Sequence, residues 1–386
     1  MLEVRPGSQR VLELDGLRGF AILVVLLDHY LGSYENTDFS HYWLIFFRGF
    51  SVGRVGVDLF FVLSGFLIGG ILLESRDSAN YFRTFYLRRV HRILPVYYSW
   101  ILLYLIGLGI LHFFAPAVSL TSADSSNAFR YFPFLQNFFP HKTHLEWVWL
   151  GVTWSLAIEE QFYLFAPLVV RYVPVRRLPA LLVAVVLLAP VLRLLVLLGP
   201  VDYHYIAASS TPCRADALAL GMLAALAWRS ERFHRFLRKN PSFLRRVLLF
   251  FFVAVELVMR WMFKPLGVFV GTVGYSTLAL FFLALLLFVL ACRESWLAGF
   301  MRLGPLRELG TVSYCVYIIH VPVLYVIHRV LLHSTPRIDS LLRAAVTLLA
   351  TLVTLGIAAL SWHFMEKPLI KRGHRFVYTS AETPSS

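Results

Sequence analysis

The sequence predicts an all-α fold, a polytopic transmembrane helical bundle of about ten helices with both termini in the cytoplasm. Three observations predict it. Of 386 residues, 58% are hydrophobic and the mean hydropathy is +0.69, far above what a soluble chain of this length carries. Apolar runs close to the ~20 residues that span hydrocarbon recur along the chain. The cations between those runs gather in alternate connections.

In order, the runs lie near residues 16–34, 56–74, 95–114, 149–170, 179–198, 213–229, 247–263, 269–291, 309–331 and 341–364. The first is a membrane helix and not a signal peptide, because Phe20 to Leu27 leads into Asp28 and His29 with no small-residue cleavage site. Connections holding Arg76, Arg83, Arg88, Arg89 and Arg92, then Arg171, Arg176 and Arg177, then the Arg229–Arg246, Arg293–Arg307 and Lys367–Arg375 clusters all fall on the side of Arg5 and Arg10. The opposite side carries only scattered cations such as Arg48, Arg130, Lys142 and Arg337. The positive-inside rule therefore places both termini in the cytoplasm. Residues 1–375 read as one transmembrane domain and 376–386 as a short, polar, frayed cytoplasmic tail.

Two connections stand out. Residues 115–148 form the longest external loop, rich in turn formers and aromatics, and either cover a substrate or anchor at the interface. Residues 230–246 place Phe233, Phe236 and Leu237 on one basic amphipathic face that breaks at Asn240–Pro241, suited to the anionic inner leaflet.

The formal charge of +14 does not indicate a nucleic-acid binder, because the cations are dispersed between apolar runs instead of forming one basic face. Cys213, Cys292 and Cys315 are widely separated, so neither a disulfide framework nor a metal site is expected.

Ionisable groups inside apolar runs carry the functional reading, since hydrocarbon makes them costly unless they line a cavity or do chemistry. Arg18 and His29 lie eleven residues apart in the first run. At about 100° and 1.5 Å per residue, they project from nearly one face, about 16 Å apart. A modest pKa shift leaves an imidazole able to take a proton from an attacking hydroxyl. Asp28 is adjacent to His29 but points about 100° away, so no pair is expected. Asp58, opening the second run, either orients the His29 ring or caps the helix. Ser64, Gly65, Gly69 and Gly70 suit close helix packing.

Arg88, Arg89 and Arg92 precede the third helix, where guanidinium forks suit a phosphorylated cytoplasmic ligand or simply set topology. Glu159 and Glu160 sit within the fourth run. Glu159 is placed toward the cavity and its neighbour toward packing or an arginine. Arg214 and Asp216, opening the sixth helix, either bind a polar acceptor or mark an interface. His320 competes with His29 as base, or satisfies a carbonyl freed by Pro322.

Assembled, these segments resemble the acyltransferase-3 family of integral membrane acyltransferases. The resemblance rests on LDGLRGFAILVVLLDHY, GVDLFFVLSGFLI, FYLRRVHRILPVYY, TWSLAIEEQFYLFAP, CRADALALG, SYCVYIIHVP and WHFMEKPL, in order over residues 10–370. It implies an enzyme of the bacterial inner membrane that moves an acyl group, commonly acetyl from acetyl-CoA on the cytoplasmic side, to a hydroxyl of a carbohydrate or glycoconjugate. No permanently bound cofactor is implied. Carried onto this sequence, His29 is the catalytic histidine, Arg18, Arg89 and Arg92 contact the acyl donor, and Glu159 matches the family's glutamate. Some relatives carry an extracytoplasmic SGNH domain and this sequence ends without one, so the membrane domain works alone or with a separate extracytoplasmic transferase. The rival reading is a transporter or flippase, whose polar residues would mark a substrate path. The paired, interrupted helices of inverted repeats are not found in the sequence.

Overall fold

The computed structural model describes residues 11–32, 54–114, 127–141, 143–199, 204–261 and 267–379, and among these the chain is helical with no β-strand. Fifteen α-helices follow in order among the described residues. They are α1 (Leu12–Leu27), α2 (Arg54–Glu74), α3 (Tyr81–Phe114), α4 (His144–Leu150), α5 (Trp154–Tyr172), α6 (Leu178–Leu197), α7 (His204–Ser209), α8 (Thr211–Trp228), α9 (Glu231–Lys239), α10 (Pro241–Trp261), α11 (Gly267–Ala291), α12 (Trp296–Met301), α13 (Gly304–Leu332), α14 (Leu341–Ser361) and α15 (Lys367–Gly373). Each of the ten predicted runs overlaps at least one of them. Six helical segments among the described residues, in α2, α3, α6, α11, α13 and α14–α15, are long and apolar enough to cross a membrane. The chain is a multi-pass membrane protein. Arg5, Arg10, Arg48 and Lys142, which entered the topology reading, lie outside the described residues.

Four departures from the sequence reading bear on the site. The third helix does not start at Pro95; it runs unbroken from Tyr81. Arg89 and Arg92 are therefore helical residues three apart, on one face, and not members of a connecting loop. The predicted 149–170 helix is divided into α4, a 3₁₀ turn at Gly151–Thr153, and α5. The basic amphipathic face breaks at Asn240–Pro241 as expected, but Leu237 turns inward to join Leu244 and Phe288, leaving Phe236 exposed. The tail is not frayed directly after Arg375. Asn80 Nδ2 donates to Val377 O at 2.9 Å, Arg88 Nε to Phe376 O at 2.8 Å, and Ala79 N to Thr379 O at 3.0 Å.

The centre of the bundle is made by α1, α2, α8 and α13. Leu17, Ala21, Ile22 and Val25 of α1 are fully buried, so this helix lies inside the protein and its charged residues are shielded from lipid. Close backbone approach holds these helices together, as expected where lipid removes the hydrophobic drive for helix association. A Cβ on Gly65 would collide with Leu218 O, and one on Gly221 with Val62 O, so the α2–α8 crossing requires both glycines. Gly19 and Gly310 do the same for α1 against α13. The packing role expected for Gly65 is thus met, whereas Gly70 has open space beside it.

Candidate active site

A cavity with about 800 Å³ of empty space, its open mouth included, runs between α1, α2, α3, α5 and α13. Arg18, Arg89, Arg92 and Glu159 line it together, joined by Glu160, Ser64, Tyr163, Tyr314 and Tyr317. Glu160 was expected to face away; it lines the same wall. Glu159 is fixed from two sides. Ser64 Oγ donates to its Oε1 at 2.7 Å, and Tyr163 Oη approaches its Oε2 at 3.4 Å while also donating to Ser64 Oγ at 3.2 Å. Ser64 is therefore more than a small packing residue. Arg18 and Arg92 make no hydrogen bond or ion pair among the described residues, and Arg89 Nε is buried with no partner. Three guanidiniums thus face two carboxylates in one membrane-enclosed space. Such a site suits a ligand with several anionic oxygens. Beyond α15, the His374 pKa is lowered by burial and then by Arg88, Arg89 and Arg92.

His29 does not line that cavity. The α-helix ends at Leu27, and Asp28–Gly32 continue as a π turn, whose wider pairing rotates these side chains from the positions that α-helical extrapolation assigns. Among the described residues, Arg18 lines this cavity and His29 is not part of its lining. Instead His29 meets His320 of α13 edge to face, with ring centroids 4.9 Å apart and planes at 77°. The two histidines treated as competitors are neighbours. His29 Nδ1 lies 3.0 Å from Val25 O, which puts its proton on Nδ1 and leaves Nε2 as the basic nitrogen. Asp28 Oδ2 is 3.9 Å from His29 Nδ1, too far for a hydrogen bond. Tyr317 joins the two regions, lining the cavity while its ring lies 5.9 Å from that of His320.

Asp58 orients no histidine. Its Oδ1 accepts from Arg214 Nη2 at 2.8 Å and its Oδ2 has no hydrogen-bond partner. Arg214 in turn lies 3.9 Å over the Tyr275 ring. Asp216 Oδ2 accepts from Arg193 Nη2 at 2.9 Å and from Ser276 Oγ at 2.6 Å. Asp58, Arg193, Arg214 and Asp216 are each at most 1% exposed, so Arg214 and Asp216 face neighbouring helices and not the cavity. The sequence reading missed Arg193, although an arginine inside an apolar run is itself the signal. Replacing Arg214 by methionine is expected to destabilise the protein by about 3–5 kcal/mol, because Asp58 is then buried unpaired. The Asp58→Leu/Arg214→Met double variant should recover much of that loss, as thermal unfolding in detergent would show.

Residues 127–141 of the long external loop pack inward. Gln136 Nε2 donates to Thr153 O at 3.0 Å and to Tyr97 Oη at 3.1 Å, and Gln161 Nε2 donates to Phe134 O at 2.6 Å. Tyr97 and Tyr98 donate to Tyr131 O and Phe132 O. This part of the loop covers α3 and α5 beside the cavity; residues 115–126 lie outside the described residues.

A family model for the acyltransferase-3 type, described as an acyltransferase domain, matches residues 11–363, which include every residue of this site. The chain belongs to that family. Curated relatives of this chain include YrhL of Bacillus subtilis, provisionally named as a peptidoglycan O-acetyltransferase, 29% identical over 94% of this chain and 55% of its own length. The peptidoglycan O-acetyltransferase OatA of Listeria monocytogenes is 29% identical over 96% of the chain and 57% of its own. The O-acetyltransferase OatA of Staphylococcus aureus is 25% identical over 94% and 57%. The chain thus spans little more than half the length of these relatives. No solved structure matches it.

Proposed function

We propose that the protein is a membrane O-acyltransferase that takes an acetyl group from cytoplasmic acetyl-CoA and delivers it to a hydroxyl of an envelope carbohydrate or glycoconjugate. The observation that carries this is the set of three guanidiniums, Arg18, Arg89 and Arg92, without counter-ion contacts in one cavity of an acyltransferase-family membrane domain. Coenzyme A presents phosphates at one end and a thioester at the end of a long arm. Phosphates at Arg89 and Arg92 would leave that arm to run past Glu159 and Tyr317 toward the histidine pair. In this reading the apolar runs make about ten spans, the cation distribution puts both termini in the cytoplasm, and the family resemblance supports a bacterial inner-membrane location.

The acceptor hydroxyl gives its proton to His29 Nε2 as its oxygen attacks the thioester carbonyl. Nδ1–H stays directed to Val25 O, which holds the ring in place. Collapse of the tetrahedral intermediate breaks the C–S bond, and the proton passes from His29 to the departing thiolate, giving CoA thiol and the O-acetyl ester. The names of the relatives, which include peptidoglycan O-acetyltransferases, support a glycan acceptor.

Purified protein in lipid nanodiscs given labelled acetyl-CoA and a soluble muropeptide should release free CoA and leave label on a sugar hydroxyl. Absence of both donor binding and CoA release would overturn the proposal.

A further inference from the structure

His320 is the one buried imidazole beside His29 to which the mechanism above gives no role. Its Nδ1 lies 2.7 Å from Tyr317 O and 3.2 Å from Val316 O, so the ring proton sits on Nδ1. Nε2 is then a bare acceptor. It is fully buried, and no donor reaches it among the described residues.

The hydroxyls around this ring are already engaged. Tyr30 Oη donates to His320 O at 3.0 Å and lies 3.2 Å from Thr354 Oγ1. Tyr317 Oη donates to Val152 O at 3.0 Å and shares a 2.6 Å hydrogen bond with Ser155 Oγ. His29 has its proton on Nδ1, directed to its own helix. Two imidazoles 4.9 Å apart thus each hold a proton toward their own backbone and each keep a bare Nε2. An unsatisfied buried acceptor carries a free-energy cost unless a ligand supplies the donor. His29 retains 26% of its side-chain exposure, so the pair is reachable from that side.

We propose that His320 is an acceptor-binding residue, and that the sugar is held by two hydroxyl donors, the reacting one on His29 Nε2 and a neighbouring one on His320 Nε2. This rests on the reading of His29 as the base. It adds that the acceptor must be a polyol with a second free donor beside the acylated hydroxyl. It also separates the acceptor subsite, at the histidine pair, from the donor subsite at the arginines.

The test is equilibrium binding by the full-length protein in nanodiscs, measured separately for a soluble disaccharide muropeptide and for acetyl-CoA, with no turnover required. His320→Phe keeps a ring in the same space and removes the acceptor nitrogen. It should weaken muropeptide binding about 10- to 100-fold, the effect of one lost hydrogen bond to a buried acceptor. His320→Gln, whose Oε1 can accept, should return it to within about threefold. Acetyl-CoA affinity should be unchanged in both variants. The proposal is overturned if the wild-type protein fails to bind muropeptide, if His320→Phe binds it normally, or if both variants weaken both ligands alike. Muropeptide binding that depends on His320 in a protein that fails to bind acetyl-CoA would instead overturn the donor half of the proposed function.

Discussion

His29→Ala is expected to lower acyl transfer by about 10³-fold or more, with the protein still folded in the membrane and still binding acetyl-CoA. General-base removal alone is worth about 10²–10⁴-fold. The larger part of that range is expected here because no other side chain can substitute directly. In the proposed complex His320 Nε2 already accepts from the neighbouring hydroxyl and is not free to take the reacting proton. Asp28 lies on the Nδ1 side of His29. Folding should survive, because His29 makes one short polar contact, to a carbonyl of its own helix, and keeps part of its ring exposed. The measurement is labelled-acetyl transfer beside acetyl-CoA affinity on the same preparation. Near-normal turnover in His29→Ala would refute the assignment of the base, whereas lost donor affinity would mean that the ring serves the cavity.

The bundle was legible in the sequence because twenty-residue apolar runs and clustered cations are long-range signals that survive local irregularity. The arginine cluster was legible for the same reason, since a cation within or beside an apolar run needs a partner or a cavity. Three features were not. The π turn at Asp28–Gly32 cannot be read from residue type, and it takes His29 off the α-helical register assumed for it. Continuation of α3 through Pro95 went against the usual proline rule. Pro95 N–H would have bonded only one carbonyl, and a helix embedded among other helices tolerates that loss. The partners of Asp58 and Asp216 are 156 and 23 residues away, at Arg214 and Arg193. Carboxylates at such separations choose their arginines by tertiary packing, which periodicity does not report. Tyr163 had a readable signal, four residues after Glu159 on one helical face. Tyr317, three residues before His320, had the same one.

The Arg89→Leu/Arg92→Leu double variant is expected to lower kcat/KM for acetyl-CoA by roughly 10²–10⁴-fold, almost entirely through KM. A hydrogen bond to a charged group contributes about 1.5–3 kcal/mol, so two guanidiniums on phosphate contribute about 3–6 kcal/mol. Both arginines lie on one face of α3, three residues apart, and both line the cavity. Neither substitution breaks a hydrogen bond or ion pair of a buried carboxylate in the way Arg214→Met does: Glu159 keeps its hydrogen bond from Ser64, and Glu160 loses only a neighbouring charge in Arg89. Loss of the two cations should therefore be felt in donor binding before it is felt in folding. The Arg89→Lys/Arg92→Lys variant keeps the charge but loses the planar fork, so it should fall between wild type and the leucine pair. Raised salt should weaken donor binding to the wild-type protein more than to the leucine variant, because only the former has these charges to screen. Initial rates over a range of acetyl-CoA at two salt concentrations check all three statements. An unchanged KM with a fallen kcat would move Arg89 and Arg92 from donor anchoring to the reacting end of the cavity.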